Sequence, residues 1–229
     1  PKRVNRSDVT SARGKLAAIG SELGQVFAER AEVIEGALAA LLARQHVLLL
    51  GPPGTAKSML ADELCRRIDG AAYFQWLLTK FTTPEEVFGA VSLRALENDE
   101  YRRVTTRKLP EAHIAFLDEN FKASSSILNA LLTLLNERRF DNGRDSVDVP
   151  LLSVFGAANE LPEEDELSAI YDRFLVRFVV GYVVEDWRFL RMLRATAPED
   201  GTRITLAELA LLQDAVEDVA LPDGVLRSI

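Results

Sequence analysis

The chain has 229 residues, 48% of them hydrophobic and 27% charged, and a net charge of −8. That length allows one substantial core, and the acidity argues against general affinity for nucleic acid, which needs a basic surface. No apolar run reaches the roughly 20 residues of a membrane span. The amino end, Pro1-Lys2-Arg3-Val4-Asn5-Arg6, has no apolar segment behind it and does not read as a secretory signal. It lacks a starting Met, so residue 1 need not be the true beginning. The single cysteine, Cys65, reads as a small core residue, and the expected setting is reducing and cytoplasmic.

Residues 7–44 read as helix, because Leu16, Ile19, Leu23, Val26 and Phe27, then Val33, Ile34, Leu38, Leu41 and Leu42, recur at helical spacing. A strand is expected at 46–50 and a helix from Lys57 to about Ile68, stopped by Gly70. A second strand is expected at 72–77. The stretch 79–111 is less regular, with a short helix expected where Thr83 caps Pro84-Glu85-Glu86. Its basic part, Arg102 to Lys108, reads most simply as a solvated loop. Ile114-Ala115-Phe116-Leu117 is a third strand, and Ser124-Ser125-Ser126 opens a long amphipathic helix. Asn142-Gly143 signals a hairpin. Strands four and five are expected at 151–157 and 175–180. From about Val183 the pattern is helical only, divided by Pro198, Gly201, Pro222 and Gly224. Strands alternating with helices predict an α/β fold, a five-stranded, mostly parallel sheet between helices.

The chemistry concentrates after the first strand. Gly51-Pro52-Pro53-Gly54-Thr55-Ala56-Lys57-Ser58 joins the run Val47-Leu48-Leu49-Leu50 to a helical pattern, the context that a phosphate-binding loop needs. Glycines let backbone N–H groups turn inward around phosphate oxygens, and the helix start adds its positive dipole end. Lys57 supplies a charge for the terminal phosphates and Ser58 a hydroxyl for Mg²⁺. The pattern G-x-x-x-x-G-K-[ST] asks for Gly at 56, where this chain has Ala; as the opening of a helix, that position should cost Ala nothing. The run 114–117 then delivers Asp118 and Glu119 to a strand end, where open α/β sheets bind ligands. Asp118 is expected to hold the metal and Glu119 to polarise an attacking water. The plainer reading, two solvated acids, loses weight beside the upstream loop. No Asn-Lys-x-Asp and no G-x-G-x-x-G after a strand occurs, so guanine-specific and dinucleotide-binding readings lack support.

Taken in order, Gly-Pro-Pro-Gly-Thr-Ala-Lys-Ser, Phe-Leu-Asp-Glu, Asn-Ala-Leu-Leu-Thr-Leu-Leu-Asn-Glu-Arg, Ala-Asn-Glu-Leu-Pro and Tyr-Asp-Arg-Phe resemble the MoxR family of AAA+ ATPases over about residues 25–195. Leu78 to Gly89 is similar to the RavA-type branch. Ala56 is usual in that family. The resemblance implies ATP and Mg²⁺ as ligands, Asn159 as the sensor 1 residue that reads the γ-phosphate, and Arg173 as a finger on a neighbour's ATP, with Arg177 in reserve. A strand-end cap for Asn159, and a salt bridge to Asp172 or to Glu163–Glu166 for Arg173, are the structural alternatives. Arg138 and Arg139 read as interface residues or a solvated pair, and Val33 and Ile34 as adenine-pocket or core residues. By the same resemblance, 79–111 corresponds to the helix 2 insert and the Asn142-Gly143 hairpin to the pre-sensor 1 hairpin.

The implied organisation is a core at 1–182, including the N-terminal helices, and the beginning of an all-α lid at 183–229, with the sensor 2 arginine beyond it. The implied function is Mg²⁺-dependent ATP hydrolysis by an oligomeric ring, a hexamer, in chaperone-like remodelling or maturation of partner proteins, one of them carrying a von Willebrand A domain. A nucleotide-regulated binding module with little turnover is the alternative from another class. A nucleic-acid motor is the third, supported locally by 102–108 alone.

Overall fold

A computed structural model describes residues 6–161, 167–184 and 200–220. Five strands build the main sheet: β1 (Val47–Leu50), β3 (Tyr73–Leu77), β4 (Ile114–Asp118), β7 (Ser153–Ala158) and β8 (Val176–Val179). Their order is β3-β4-β7-β1-β8, and every neighbouring pair is parallel. The mostly parallel sheet expected from the sequence is thus wholly parallel. β7 lies between β1 and β4, so the phosphate-loop strand and the Asp-Glu strand are not adjacent.

The central strands are continuous apolar runs because both their faces are covered. Successive side chains point to opposite faces. Val47, Leu49, Phe116 and Phe155 enter one core, and Leu48, Ala115, Leu117 and Val154 enter the other. The first core is closed by α1 (Arg6–Val26), α2 (Ala31–Leu42), α3 (Lys57–Arg66) and α8 (Leu206–Glu217). The second is closed chiefly by α6 (Ser125–Glu137), whose Ile127, Leu131, Leu134 and Leu135 form the buried face that their spacing predicts. The edge strands are less buried: β3 buries only Phe74, and β8 alternates half-buried and exposed positions.

The expected helix over 7–44 is two helices. It breaks at 27–30, where Glu29 takes φ 57°, which a continuing helix does not allow. α3 ends at Arg66, before a two-residue strand β2 (Ile68–Asp69), and Gly70 turns the chain at φ 84°. β2 pairs in parallel with β9 (Ile204–Thr205), so the region after Val183 is not helical only. Pro198, Pro222 and Gly224 lie outside the described residues. α8 starts at a Thr205–Glu208 capping box and lays Leu209 and Leu212 into the core with α1 and α2.

The stretch 79–111 holds two short helices, α4 (Pro84–Phe88) and α5 (Leu93–Leu96). α4 begins at the expected Thr83 cap, where the Glu86 carboxylate accepts from the Thr83 N–H at 2.7 Å. The hairpin pairs β5 (Arg139–Asn142) with β6 (Asp145–Asp148) through the loop Gly143-Arg144. Gly143 has φ 75°, and a Cβ there would lie 1.8 Å from the Tyr101 carbonyl oxygen. α7 (Ser168–Tyr171) precedes β8. Among the described residues, no helix is long and apolar enough to cross a membrane.

Candidate nucleotide site

Strand register assembles the site. Leu50 pairs with Ala158, and Asp118 with Ala157. The loop after β1, the Asp118-Glu119 pair and Asn159 therefore emerge together at the C-terminal edge of the sheet, the edge where open α/β folds bind ligands.

The loop enters at Gly51, whose N–H donates to the Ala158 carbonyl at 2.9 Å. A Cβ at Gly51 would lie 2.1 Å from the Val180 carbonyl oxygen, so no other residue fits between these backbones. Gly51, Gly54 and Ala56 all have positive φ, at 148°, 77° and 63°. Ala56 is the N-cap of α3 in the left-handed region. The expectation that Ala costs nothing there is wrong: a Cβ in that region costs roughly 1–2 kcal/mol, which explains the phosphate-loop pattern's demand for glycine.

Thr55 folds its hydroxyl back to the Pro52 carbonyl at 3.0 Å. Lys57 is buried, and its Nζ donates to the carbonyls of Gly51 and Pro52 at 2.7 and 2.8 Å. Burial lowers its pKa, the nearby Asp118 and Glu119 charges work against that shift, and Arg30 adds to it. Pro53 and Gly54 are exposed, and Ser58 is half-buried in the first turn of α3.

Asp118 closes β4, and its Oδ1 accepts from the Glu119 N–H at 3.1 Å. Glu119 stands at φ 52° and opens a single 3-10 turn, Asn120–Lys122. Its Oε1 accepts from Asn159 Nδ2 at 2.7 Å, and its Oε2 is 3.2 Å from Lys122 Nζ. The fold thus brings Glu119 and Asn159, 40 residues apart, into direct contact. Lys122, a second hold on the carboxylate, went unnoticed in the sequence; its signal was the i,i+3 spacing from Glu119.

A cavity opens beside the loop, walled by Phe27, Arg30, Thr55, Ala56, Tyr182 and Val183. Val33 and Ile34, read from the sequence as adenine-pocket or core residues, are buried core side chains and do not line it. Arg30 was missed: it is buried and donates to the carbonyl oxygens of Gly181 and Glu29. Burial lowers its pKa.

The arginines separate clearly. Arg173 is exposed, and its guanidinium has no hydrogen bond or ion pair among the described residues. Arg177 is committed internally: its Nε donates to the Phe174 carbonyl at 2.7 Å, it stacks 3.8 Å over the Tyr171 ring, and it sits 3.7 Å from Asp172. The run Glu163–Glu166 lies outside the described residues. Arg138 is half-buried and held internally, so it does not form a solvated pair with Arg139. Its guanidinium lies 2.8 Å from His46 Nε2 and donates to the Arg44 carbonyl at 2.6 Å. Burial brings its pKa down to about 10. Arg139 is exposed and pairs across the hairpin with Asp148 at 3.6 Å.

Comparison with known proteins places these features in a family. The model for the "MoxR domain in the MoxR-vWA-beta-propeller ternary systems" matches residues 14–219. An uncharacterized Methanocaldococcus jannaschii protein, MJ0079, is 46% identical over 90% of this chain and 54% of its own length. The chaperone MoxR1 of Mycobacterium tuberculosis is 26% identical over 91% of this chain and 57% of its own length. The chain thus spans about half the length of these curated relatives. A crystal structure of a Cytophaga hutchinsonii protein assigned as an ATPase superposes with a TM-score of 0.78 at 16% identity, covering 96% of this chain and 68% of that one. At that identity it speaks for the fold alone, and it agrees with the parallel sheet described above. With 206 consecutive residues under the MoxR model, the chain belongs to the MoxR family of AAA+ ATPases.

Proposed function

We propose that this chain binds and hydrolyses ATP at the edge formed by Gly51–Ser58, Asp118-Glu119 and Asn159. The observation that carries the reading is the 2.7 Å hydrogen bond from Asn159 to Glu119 beside a glycine-bearing loop with a buried lysine. A base held by a neutral amide at a strand end is placed to orient a water. Lys57 would exchange its two loop carbonyls for phosphate oxygens. Ser58 and Asp118 would hold Mg²⁺, a hydroxyl-and-carboxylate donor set that suits a hard cation. Bound there, the ion would neutralise charge on the phosphates.

In this proposal the protein works as a ring, a hexamer, in the cytoplasm. Arg173, free of intramolecular partners among the described residues, would stabilise transition-state charge at a neighbour's site. Residues 1–182 would form the core and 183–229 the beginning of a lid. The insert at 79–111 and the β5–β6 hairpin would face the pore or a partner. The role would be chaperone-like remodelling of client proteins, with a von Willebrand A protein as partner. The name of the matched family model supports that pairing. The likeness of Leu78–Gly89 to the RavA-type branch rests on that segment alone.

The test is ATP turnover as a function of protein concentration. Lys57→Ala should abolish nucleotide binding, and Glu119→Gln should bind ATP without turning it over. Mixing Glu119→Gln with Arg173→Ala subunits should restore part of the activity, because each supplies what the other lacks. Turnover strictly proportional to concentration, with no rescue, would remove the ring. Tight ATP binding without turnover in the full-length protein would favour a nucleotide-regulated binding module.

A further inference from the structure

Asn120, directly after the glutamate, is 1% exposed, and neither its Nδ2 nor its Oδ1 has a hydrogen-bond partner. A buried amide without partners is costly, and such a group in a native fold calls for a cause. It sits beside a second departure from relaxed geometry, Glu119 at φ 52°. Two unfavourable features in consecutive residues of one turn match the pattern of strain kept at working sites.

The surroundings of Asn120 point to what it acts on. A Cβ at Gly156 of β7 would lie 3.0 Å from Asn120 Nδ2 and 2.7 Å from the Phe174 ring. Asn120 and Phe174 therefore share the space that the missing side chain leaves. Phe174 is 1% exposed and follows Arg173 directly. Next to it, Phe121 packs on Tyr171 with ring centroids 6.1 Å apart, and Tyr171 carries Arg177 on its face. The turn that holds Glu119 is thus packed on the turn that holds Arg173 at two successive positions.

We propose that Asn120 is a positioning residue. Its unpaired amide keeps the 119–122 turn poised between two arrangements, and Phe174 and Tyr171 pass the change to Arg173. Each subunit would then set its own arginine according to the nucleotide in its own site. This rests on the ATPase reading above.

Asn120→Leu keeps the shape and removes the unpaired atoms. In the full-length protein it should raise the nucleotide-free melting temperature by roughly a few °C, leave ATP affinity unchanged, and lower turnover on the order of fivefold. A merely structural asparagine would give a lower melting temperature. Hydrogen exchange supplies the second readout, in an Arg173→Ala background that removes contact with a neighbour's nucleotide. Adding ATP should protect 57–66 and alter 168–178 when Asn120 is present, and protect only 57–66 in the Asn120→Leu variant. Protection at 57–66 with 168–178 silent, or equally altered in both proteins, overturns the inference and leaves ATP binding intact. No protection at 57–66 overturns the ATP reading itself. A raised melting temperature with unchanged turnover also overturns the inference.

Discussion

Arg173 and Arg177 lie four residues apart and look alike in the sequence, yet the structure gives them different work. Arg177 spends its guanidinium on the Phe174 carbonyl and the Tyr171 ring. A guanidinium–aromatic stack contributes about 0.5–2 kcal/mol. Arg177→Ala should therefore lower stability by about 1–2 kcal/mol in urea unfolding, close to the sum of a partly exposed stack and a net hydrogen bond. Arg173→Ala should stay within about 0.5 kcal/mol of wild type, as surface changes without partners do. A large loss for Arg173→Ala would show that the residue has a structural job. The same scale explains what the sequence conceals at the site. That Lys57, Ser58, Asp118 and Glu119 come to one edge of the sheet was legible, because the apolar runs before them mark where β1 and β4 end. The left-handed backbone of Ala56 was not legible, because dihedral strain leaves no mark in an alanine's identity. Nor was Arg30, whose importance comes from the carbonyls of Gly181 and Glu29 that only the fold brings to it.

Among the elements, the hairpin and the insert behave as one body. The Asn142 side chain accepts from the Arg103 N–H at 2.6 Å and donates to the Arg103 carbonyl at 3.1 Å, as a paired strand would. Arg102 pairs with Asp145 at 2.7 Å, and Phe88 stacks on Phe140 with centroids 5.5 Å apart. Asn142→Ala leaves the Arg103 backbone groups without their partner and should cost about 1–3 kcal/mol. Hydrogen exchange should quicken at 90–104 and at the hairpin while β1, β4 and β7 keep their protection. Equal loosening of the central sheet would mean that the two parts are not a separate unit. The elements themselves were largely legible: all five main strands and α6 fall within a few residues of their expected positions, because burial on both faces or on one stripe dictates the apolar pattern. The exceptions have local causes. The break at 27–30 turns on a positive φ at Glu29, a residue with no preference for it. The β2–β9 pair is two residues long, too short for any periodicity. The start of α8 was written in the sequence as Thr205-Leu206-Ala207-Glu208, a capping box that went unread.

At the scale of the whole molecule, the chain's two histidines tie separate elements together while uncharged, and this sets its response to acid. His46 Nδ1 accepts from the Val154 N–H at 3.0 Å, and His113 Nδ1 accepts from the Ala72 N–H at 3.0 Å. Burial, helped by the Arg138 charge, pushes the His46 pKa from 6.5 down to about 3, and burial lowers His113 as well. A depressed folded pKa means that the unfolded chain binds the proton first. Stability is then complete above pH 6.5 and falls as pH drops toward the folded value. For His46 alone the slope approaches about 1.4 kcal/mol per pH unit. The Glu22 carboxylate, held low chiefly by its hydrogen bond from Thr202, acts in the same direction but only below the ordinary carboxylate range. The window from pH 6.5 to 5 therefore belongs to the histidines. Urea unfolding at pH 7.5, 6.0 and 5.0 should show a loss of about 2 kcal/mol across that window. His46→Gln keeps one acceptor for Val154 and one donor for the Leu135 carbonyl, which His46 Nε2 faces at 3.2 Å. That variant should start less stable and decline less steeply, with the remaining slope due to His113. Parallel declines in the two proteins would show that His46 is not the group that titrates.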